Sequence, residues 1–317
     1  MAVTVLGAGV IGLTSALVLA ERGHRVQLIG AEPPRRTTSA TAGAVWGPYR
    51  AGPAHQVDRW AAVSLDQFVT LAGRPSTGVR IACGIEVASW PAGPPRWRGQ
   101  LDGWRYCRPD ELPDRMVTGW RYRAPLIDMP VYLDHLSSWV ASLGVEVTQR
   151  RVASLDGAEF ANVVVNCTGL GAGELARDRN LHPVRGEQVV VANPGLTEFF
   201  MEDRGSSSDL VGIYPHGDHV VLGGSAVPDS ASRDVDQAAV RRIIERCAEF
   251  FPALRTAAVL DHRVGVRPVR PTVRIETERL SSGRWCVHNY GHGGAGVTLS
   301  WGCARSVADL VAGLAAV

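Results

Sequence analysis

The sequence predicts an α/β fold in which a part built on a parallel sheet is interleaved with a part built on a mixed or antiparallel sheet. Three observations predict it. An apolar strand, a glycine turn, a helix and a second apolar strand follow one another between Val3 and Glu32. Two later apolar runs, at Val163–Asn166 and Trp285–His288, each end in a glycine-rich turn. Between them, from Val184 to Ser225, short apolar runs alternate with turn residues, the pattern of antiparallel strands.

Val3–Leu6 reads as a buried strand, because parallel strands covered on both faces are continuously apolar. Gly7, Ala8, Gly9, Val10, Ile11 and Gly12 then form G-x-G-x-x-G, followed by a helix over Leu13–Glu21 that ends near Gly23. Val26–Ile29 is the second strand and Glu32 follows it. Gly7 permits the tight turn, Gly9 lets a pyrophosphate approach the backbone, and Gly12 lets helix and strand pack closely. The helix N-terminus faces the phosphates, and an acid about 20 residues on can bond a ribose diol. This is a Rossmann-like dinucleotide site. Two other readings exist for the same stretch. A glycine turn can serve packing alone. Residues 1–20 also carry no charge, as in a signal peptide or membrane helix. The absent basic flank, the three interrupting glycines and the second strand argue against a membrane segment.

The chain has 317 residues, of which 45% are hydrophobic, enough for one or two domains with a real core. A net charge of +2 gives no electrostatic case for nucleic acid or an anionic membrane. All 33 basic residues are arginine, which excludes a catalytic lysine, a Schiff base or a P-loop lysine. The six cysteines (83, 107, 167, 247, 286 and 303) form no C-x-x-C, so free thiols in a reducing, cytoplasmic setting are expected, with no metal centre. No lipidation or peroxisomal signal is read at the C-terminus.

Pro33–Tyr49 is a loop of small and hydroxyl residues suited to a second contact with phosphate or a planar ring. Gln56–Leu71 has helical periodicity. Arg80–Arg108 alternates at Ile81, Cys83, Ile85 and Val87, as antiparallel strands do, with a break at Pro91–Pro95. Met129–Leu143 reads as a helix capped by Gly144, and Val145–Val152 as a strand. Val163–Asn166 runs into Thr168 and Gly169, which brings backbone to a strand's carboxyl end. Asp236–Phe251 is a helix stopped by Pro252. Val264–Pro271 sets Arg267 and Arg270 beside prolines, which stiffen the backbone and deny helix. An arginine held this way can clamp a carboxylate with two parallel hydrogen bonds, or be a solvated charge on a turn. Asn289–Gly296 is a second glycine-rich turn, and it opens a helix over Val297–Leu314 whose N-terminus favours an anion. His288 and His292 have no partners at metal-ligand spacing and read as structural.

Taken together, these segments resemble the D-amino acid oxidase family of FAD enzymes. The resemblance rests on Val5–Leu13, Ala42–Tyr49, Val165–Gly169, Arg185–Gln188, Leu222–Gly224, Gly265–Pro271 and, most specifically, Val287–Ala304. Cys286 departs from that last signature, where an aliphatic residue is usual. The resemblance implies a non-covalent FAD and two interleaved domains: FAD-binding at 1–46, 145–184 and 260–317, substrate-binding at 47–144 and 185–259. It implies that Arg267 binds the substrate carboxylate and that the Gly294 carbonyl takes the substrate amine. Thr38, Ser39, Ala42, Gly43 and Trp46 fall in a second FAD segment, and Val152, Thr168 and Gly169 in the adenine-side segments. Gly265 and Arg267, with the turn Gly293, Gly294, Ala295, Gly296, Val297 and Thr298, fall near the flavin.

The family usually carries a tyrosine three residues before the proline of the strand leading to Leu222–Gly224. Gly212 stands in that place, and Tyr214 lies two residues on, on the same face of an extended strand. This predicts a roomier pocket that prefers large or aromatic substrates, with Tyr214 as the candidate hydroxyl. The resemblance implies oxidative deamination of D-amino acids to 2-oxo acids, ammonia and hydrogen peroxide, by hydride transfer from Cα to flavin N5. A small carboxylate and molecular oxygen are the expected partners, and the sequence leaves room for a homodimer. Two other readings follow from the same residues: a relative turned to another, aromatic carboxylate, and a flavin-binding sensor without turnover.

Overall fold

The structure, a computed structural model, describes residues 1–314; the last three residues assigned to the FAD-binding part lie outside it. Along the chain, β1 (Ala2–Leu6), α1 (Val10–Glu21) and β2 (Arg25–Gly30) form the opening βαβ unit. Next come α2 (Ala54–Ala72), β3 (Val79–Ala88), β4 (Arg105–Tyr106), β5 (Thr118–Ile127) and α3 (Met129–Ser142). The middle of the chain holds β6 (Glu146–Gln149), β7 (Val163–Asn166), α4 (Ala172–Leu175), β8 (His182–Ala192), β9 (Phe199–Asp203), β10 (Asp209–His216), β11 (His219–Ser225) and β12 (Val227–Pro228). It ends with α5 (Gln237–Phe250), β13 (Val259–Arg279), β14 (Trp285–His292) and α6 (Gly296–Leu314).

One continuous sheet carries both parts, in the order β4-β5-β3-β9-β10-β11-β8-β13-β14-β7-β1-β2-β6. The five strands β14, β7, β1, β2 and β6 are mutually parallel. On the other side, β8, β11, β10 and β9 run antiparallel, and β3 pairs antiparallel with β5. The expected antiparallel stretch therefore needs one amendment, because β3 and β9 are parallel neighbours. They are joined through the long excursion over β4, β5, α3, β6, β7 and β8, which gives the chain room to re-enter in the same direction.

The strand β13 stitches the halves together. Its first part pairs with β8 from Val259 to Val269, and its second part pairs with β14 from Val269 to Arg279. Arg267 thus sits where the two kinds of sheet meet. Two strand boundaries shift for the same reason, a partner's reach. The run after Gly144 is a strand only over Glu146–Gln149, because its partner β2 ends at Gly30. Conversely, β14 continues four residues past His288, because Asn289, Tyr290 and His292 find partners on β13.

The helices follow from their sequence patterns. Val57, Trp60, Ala61, Ser64, Leu65, Phe68 and Leu71 repeat at helical spacing and form the buried face of α2. Asp236 caps α5 by accepting from the Ala238 N–H at 2.8 Å. Helices α1, α2, α3 and α6 cover the parallel strands and share one large apolar core that includes Trp46, Phe68, Tyr132 and Trp301. Inside it, the Trp301 indole donates to the Tyr132 hydroxyl at 2.8 Å. A second core lies under α5, against Val189, Phe200, Ile213 and Leu222. Among the described residues, no helix is long and apolar enough to cross a membrane.

Candidate active site

The parallel strands finish in one row: Leu6 stands opposite Ile29 and Asn166, and Asn166 opposite His288. Ligands of open α/β sheets bind beyond such carboxyl ends. Here a cleft of about 940 Å³ opens and extends along the sheet to β10 and the first part of β13.

At the nucleotide end, Gly7 has φ +108°, and a Cβ there would lie 2.3 Å from the Cys167 carbonyl oxygen. Only glycine tolerates both conditions. A Cβ on Gly12 would meet the Gly7 oxygen at 1.7 Å, so helix and turn are in backbone contact. Gly12 works through this packing and does not line the cleft, whereas Gly7, Ala8, Gly9, Val10 and Ile11 do. Gly9 begins α1 without a side-chain cap, and the Val10 N–H donates to Ser39 Oγ at 3.0 Å. Glu32 lines the cleft and pairs with Arg233, whose Nη1 lies 2.9 and 3.0 Å from its two oxygens. The segment Thr38–Thr41 docks on β13: the Val266 N–H donates to Thr38 Oγ1 at 3.3 Å, and the bare Cα of Gly265 admits Thr41. Ala42, Gly43, Val152, Thr168 and Gly169 complete these walls. Thr168 is held by a bond from its hydroxyl to Asn166 Oδ1 at 2.7 Å.

Along the middle of the cleft run Gly293, Gly294, Gly296, Val297 and Thr298, at the N-terminus of α6. The Thr298 hydroxyl donates to the Gly47 carbonyl at 3.1 Å, which ties the Pro33–Tyr49 loop to this turn. Besides Gly12, two residues expected at the site stand away from it. Trp46 is fully buried behind the wall, because Val45 and Gly47 take the cleft-facing positions of an extended segment. Its indole donates to the Ala61 carbonyl at 3.1 Å. Ala295 turns into the core beneath the α6 turn.

This middle region suits a planar, hydrogen-bonding ring. His292 lines the cleft with its Nε2 buried and unpartnered, and burial lowers its pKa to about 3, so it stays neutral. Asn289 Oδ1 is another buried acceptor without a partner. Buried polar atoms left bare in a protein call for a ligand or water. With the exposed turn backbone and the uncapped helix, they fit a flavin dinucleotide laid along the cleft.

At the far end, Arg267 is half-buried, and its Nη1 donates to the Ser225 carbonyl at 2.9 Å. Among the described residues, no carboxylate lies within ion-pair distance of it, and burial pulls its pKa down. Its guanidinium lies flat across Gly186, where a Cβ would come within 2.3 Å of Nη1. Arg270 has a different task. Its Nε donates to Asp178 at 2.9 Å, and Asp178 also receives the Tyr290 hydroxyl at 2.8 Å. His288 bonds Glu278 at 2.8 Å and takes no part in the cleft.

The Gly212 question is answered by the position of Tyr214. A Cβ on Gly212 would lie 2.4 Å from the Tyr214 hydroxyl, and one on Gly43 would lie 2.3 Å from its ring. The ring therefore fills the room above Gly212, and the expectation of an open pocket there is corrected. Burial pushes the Tyr214 hydroxyl well above its ordinary pKa, so it remains a donor. Sequence reasoning passed over several wall residues: Tyr49, whose ring lies over Gly294, and Gly186, Arg233, Glu86, Trp97, Trp120 and Tyr122. Tyr49 and Gly186 belong to the segments Ala42–Tyr49 and Arg185–Gln188 that carry the resemblance, so both are legible in the sequence. Glu86 and its aromatic neighbours carry no local signal, because only the sheet brings β3, β5 and the 96–100 turn together.

Comparison with known proteins agrees with this geometry. The family model described as FAD dependent oxidoreductase matches residues 2–310. A protein named D-amino-acid oxidase from Rubrobacter xylanophilus is 48% identical over 308 residues, covering 96% of this chain and 94% of its own. One of the same name from Streptomyces coelicolor is 45% identical, covering 97% and 96%. Among solved structures, glycine oxidase from Geobacillus kaustophilus superposes with a TM-score of 0.82 at 21% identity, over 98% of this chain and 94% of that one. At that identity it speaks for the fold alone.

Proposed function

This chain belongs to the family of FAD-dependent oxidoreductases, and from that premise we propose that it is a D-amino acid oxidase. On this reading it converts D-amino acids and oxygen to 2-oxo acids, ammonia and hydrogen peroxide. The observation that carries the proposal is Arg267: a guanidinium at the seam of the two sheets, half-buried, facing the cleft and without a carboxylate of its own. A charge so placed is an anchor for an anionic substrate group.

When bound, FAD supplies the two-electron acceptor; the protein supplies position. Gly7, Gly9, the start of α1 and Glu32 hold the nucleotide end, and the turn from Gly293 to Thr298 holds the ring end. Arg267 takes the substrate carboxylate as a fork. The Gly294 backbone carbonyl accepts from the substrate amine, which fixes Cα between two anchors. Tyr49 over Gly294 and Tyr214 over Gly212 cover the same end and limit its water. The positive end of α6 faces the ring site and favours negative charge there. The domain division at 1–46, 145–184 and 260–317 against 47–144 and 185–259 is part of the proposal. The six free cysteines suit a cytoplasmic setting. The alternative of an aromatic carboxylate substrate is not favoured: it needed open space above Gly212, and the relatives are named D-amino-acid oxidases.

The test is peroxide release from matched D- and L-amino acids by the FAD-loaded protein. Turnover confined to D-enantiomers is expected. FAD retained with no turnover of any D-amino acid overturns the proposal.

A further inference from the structure

We propose that the site selects D-amino acids with a cationic side chain, and that Glu86, set among Trp97, Trp120 and Tyr122, is the residue that recognises it. The inference rests on the D-amino acid reading of the cleft and deepens it. Glu86 projects from the C-terminal part of β3 and lines the cleft that holds Arg267. Its Oε2 accepts from the Trp120 indole at 3.1 Å and from the Tyr122 hydroxyl at 3.2 Å. Those two bonds fix the carboxyl group and leave Oε1 without a partner among the described residues. Trp97 closes the wall, its ring 5.4 Å from that of Tyr122 and at 74° to it.

An acid framed by aromatic rings is the chemistry that holds an ammonium or guanidinium, by charge on one side and ring faces on the other. Three further observations favour a cation over other occupants. Among the described residues, no basic group lies within ion-pair distance of Glu86, which leaves its carboxyl group free for a ligand's cation. The charged neighbour on the same face of the sheet is Asp203, opposite Ala88 two residues along β3, whereas Glu202 stands opposite Val87 on the α5 side with Arg204 3.6 Å away. A second carboxylate beside Glu86 disfavours an acidic side chain. Finally, Glu86 and Gly212 stand opposite the same β9 residue, Met201, and Tyr214 folds its hydroxyl back over Gly212 in the cleft that Arg267 also lines. Glu86 and Arg267 therefore face one cleft, so one ligand can engage Arg267 by its carboxylate and Glu86 by the tip of its side chain. Burial raises the Glu86 pKa to about 7, so an arriving cation stabilises the ionised form it binds.

The experiment compares kcat/KM for D-lysine and D-arginine with D-norleucine, an apolar analogue of lysine, and with D-glutamine, on the FAD-loaded enzyme at pH 6 and pH 8. The expected result is at least a tenfold preference for the cationic substrates over D-norleucine at pH 8, smaller at pH 6. In Glu86→Gln the preference falls to near one. Should that variant not fold, the wild-type ratio and its pH dependence still decide. D-norleucine or D-glutamine oxidised as well as D-lysine overturns the selectivity and leaves the oxidase reading standing. No turnover of any of the four also overturns the selectivity, and peroxide release from other D-amino acids then decides the oxidase reading separately.

Discussion

Replacing Gly186 by alanine probes the carboxylate anchor without touching it. The added Cβ would lie 2.3 Å from Arg267 Nη1 and 2.6 Å from Cζ and Nη2. Ordinary contact begins near 3.4 Å, so the guanidinium must lift by about 1 Å. That is enough to break the 2.9 Å bond to the Ser225 carbonyl and to tilt the fork away from the substrate. A hydrogen bond to a charged group is worth about 1.5–3 kcal/mol, and a misplacement of about 1 Å at a reacting centre costs about 10²-fold. We therefore expect kcat/KM on the best D-amino acid to fall about 10- to 100-fold, mostly through KM. The atom displaced is the far end of a flexible side chain, so FAD content and melting temperature should stay close to wild type. The assay is steady-state peroxide release, with Gly99→Ala as control, since nothing lies within 4 Å of a Cβ there. Equal kinetics for Gly186→Ala and the control would refute the claim that Arg267 works from its present position.

The two arginines of the Pro-rich strand should separate. Arg267→Ala is expected to lose at least 10²-fold in kcat/KM while keeping FAD, whereas Arg270→Ala lowers melting temperature by disturbing Asp178 and Tyr290, with little effect on KM; identical profiles would contradict this assignment. Tyr214→Phe should reduce kcat/KM by about tenfold, the scale of one hydrogen bond, and a change under twofold would show that the hydroxyl plays no part. Glu32→Ala should weaken FAD binding by about tenfold in a reconstitution titration, and unchanged affinity would leave Glu32 only its ion pair with Arg233. The Glu86 carboxyl titrates near 7 when folded and near 4.5 when unfolded, because burial disfavours its charge. Its contribution to stability is therefore full below pH 4.5 and is lost as pH rises to about 7, so Glu86→Gln should melt higher than wild type at pH 8 and nearly equally at pH 4. A lower melting temperature at pH 8 would reverse that sign.

Much of the nucleotide end was legible, because its chemistry is local. Gly7, Gly9 and Gly12 meet one turn and one helix within a few residues of themselves, so spacing alone carries their roles. The same holds for Gly293–Thr298 before α6. Trp46 was misplaced for the opposite reason: motif position says that the segment passes the site, while the alternation of an extended chain decides which residue faces it. The long β13 strand was hidden because two prolines and two arginines look like a turn. Only the register with β8 and then β14 reveals a continuous strand with the substrate anchor at its crossing point. Glu86 had no signal at all, since its aromatic neighbours come from segments far along the chain.

The Gly212 and Tyr214 pair shows how a departure from a familiar pattern can be read in space. Two residues along a strand advance about 6.7 Å, close to the reach of a tyrosine side chain, so a ring at 214 that folds back ends over the Cα of 212. That is where the structure puts it, with the hydroxyl 2.4 Å from the position a Cβ on 212 would take. A tyrosine growing from 212 itself would carry its hydroxyl far out from the strand; here the hydroxyl lies at the strand surface. Gly212, Gly43 and Tyr214 therefore act as one unit, in which two bare backbones sandwich one ring, and any side chain at 212 must first evict Tyr214. The consequence is a pocket floor set by an aromatic ring, with its hydroxyl over Gly212 in the cleft that Glu86 and Arg267 line. Selectivity is thereby moved from the volume above Gly212 to the charge of Glu86, two strands away across Met201.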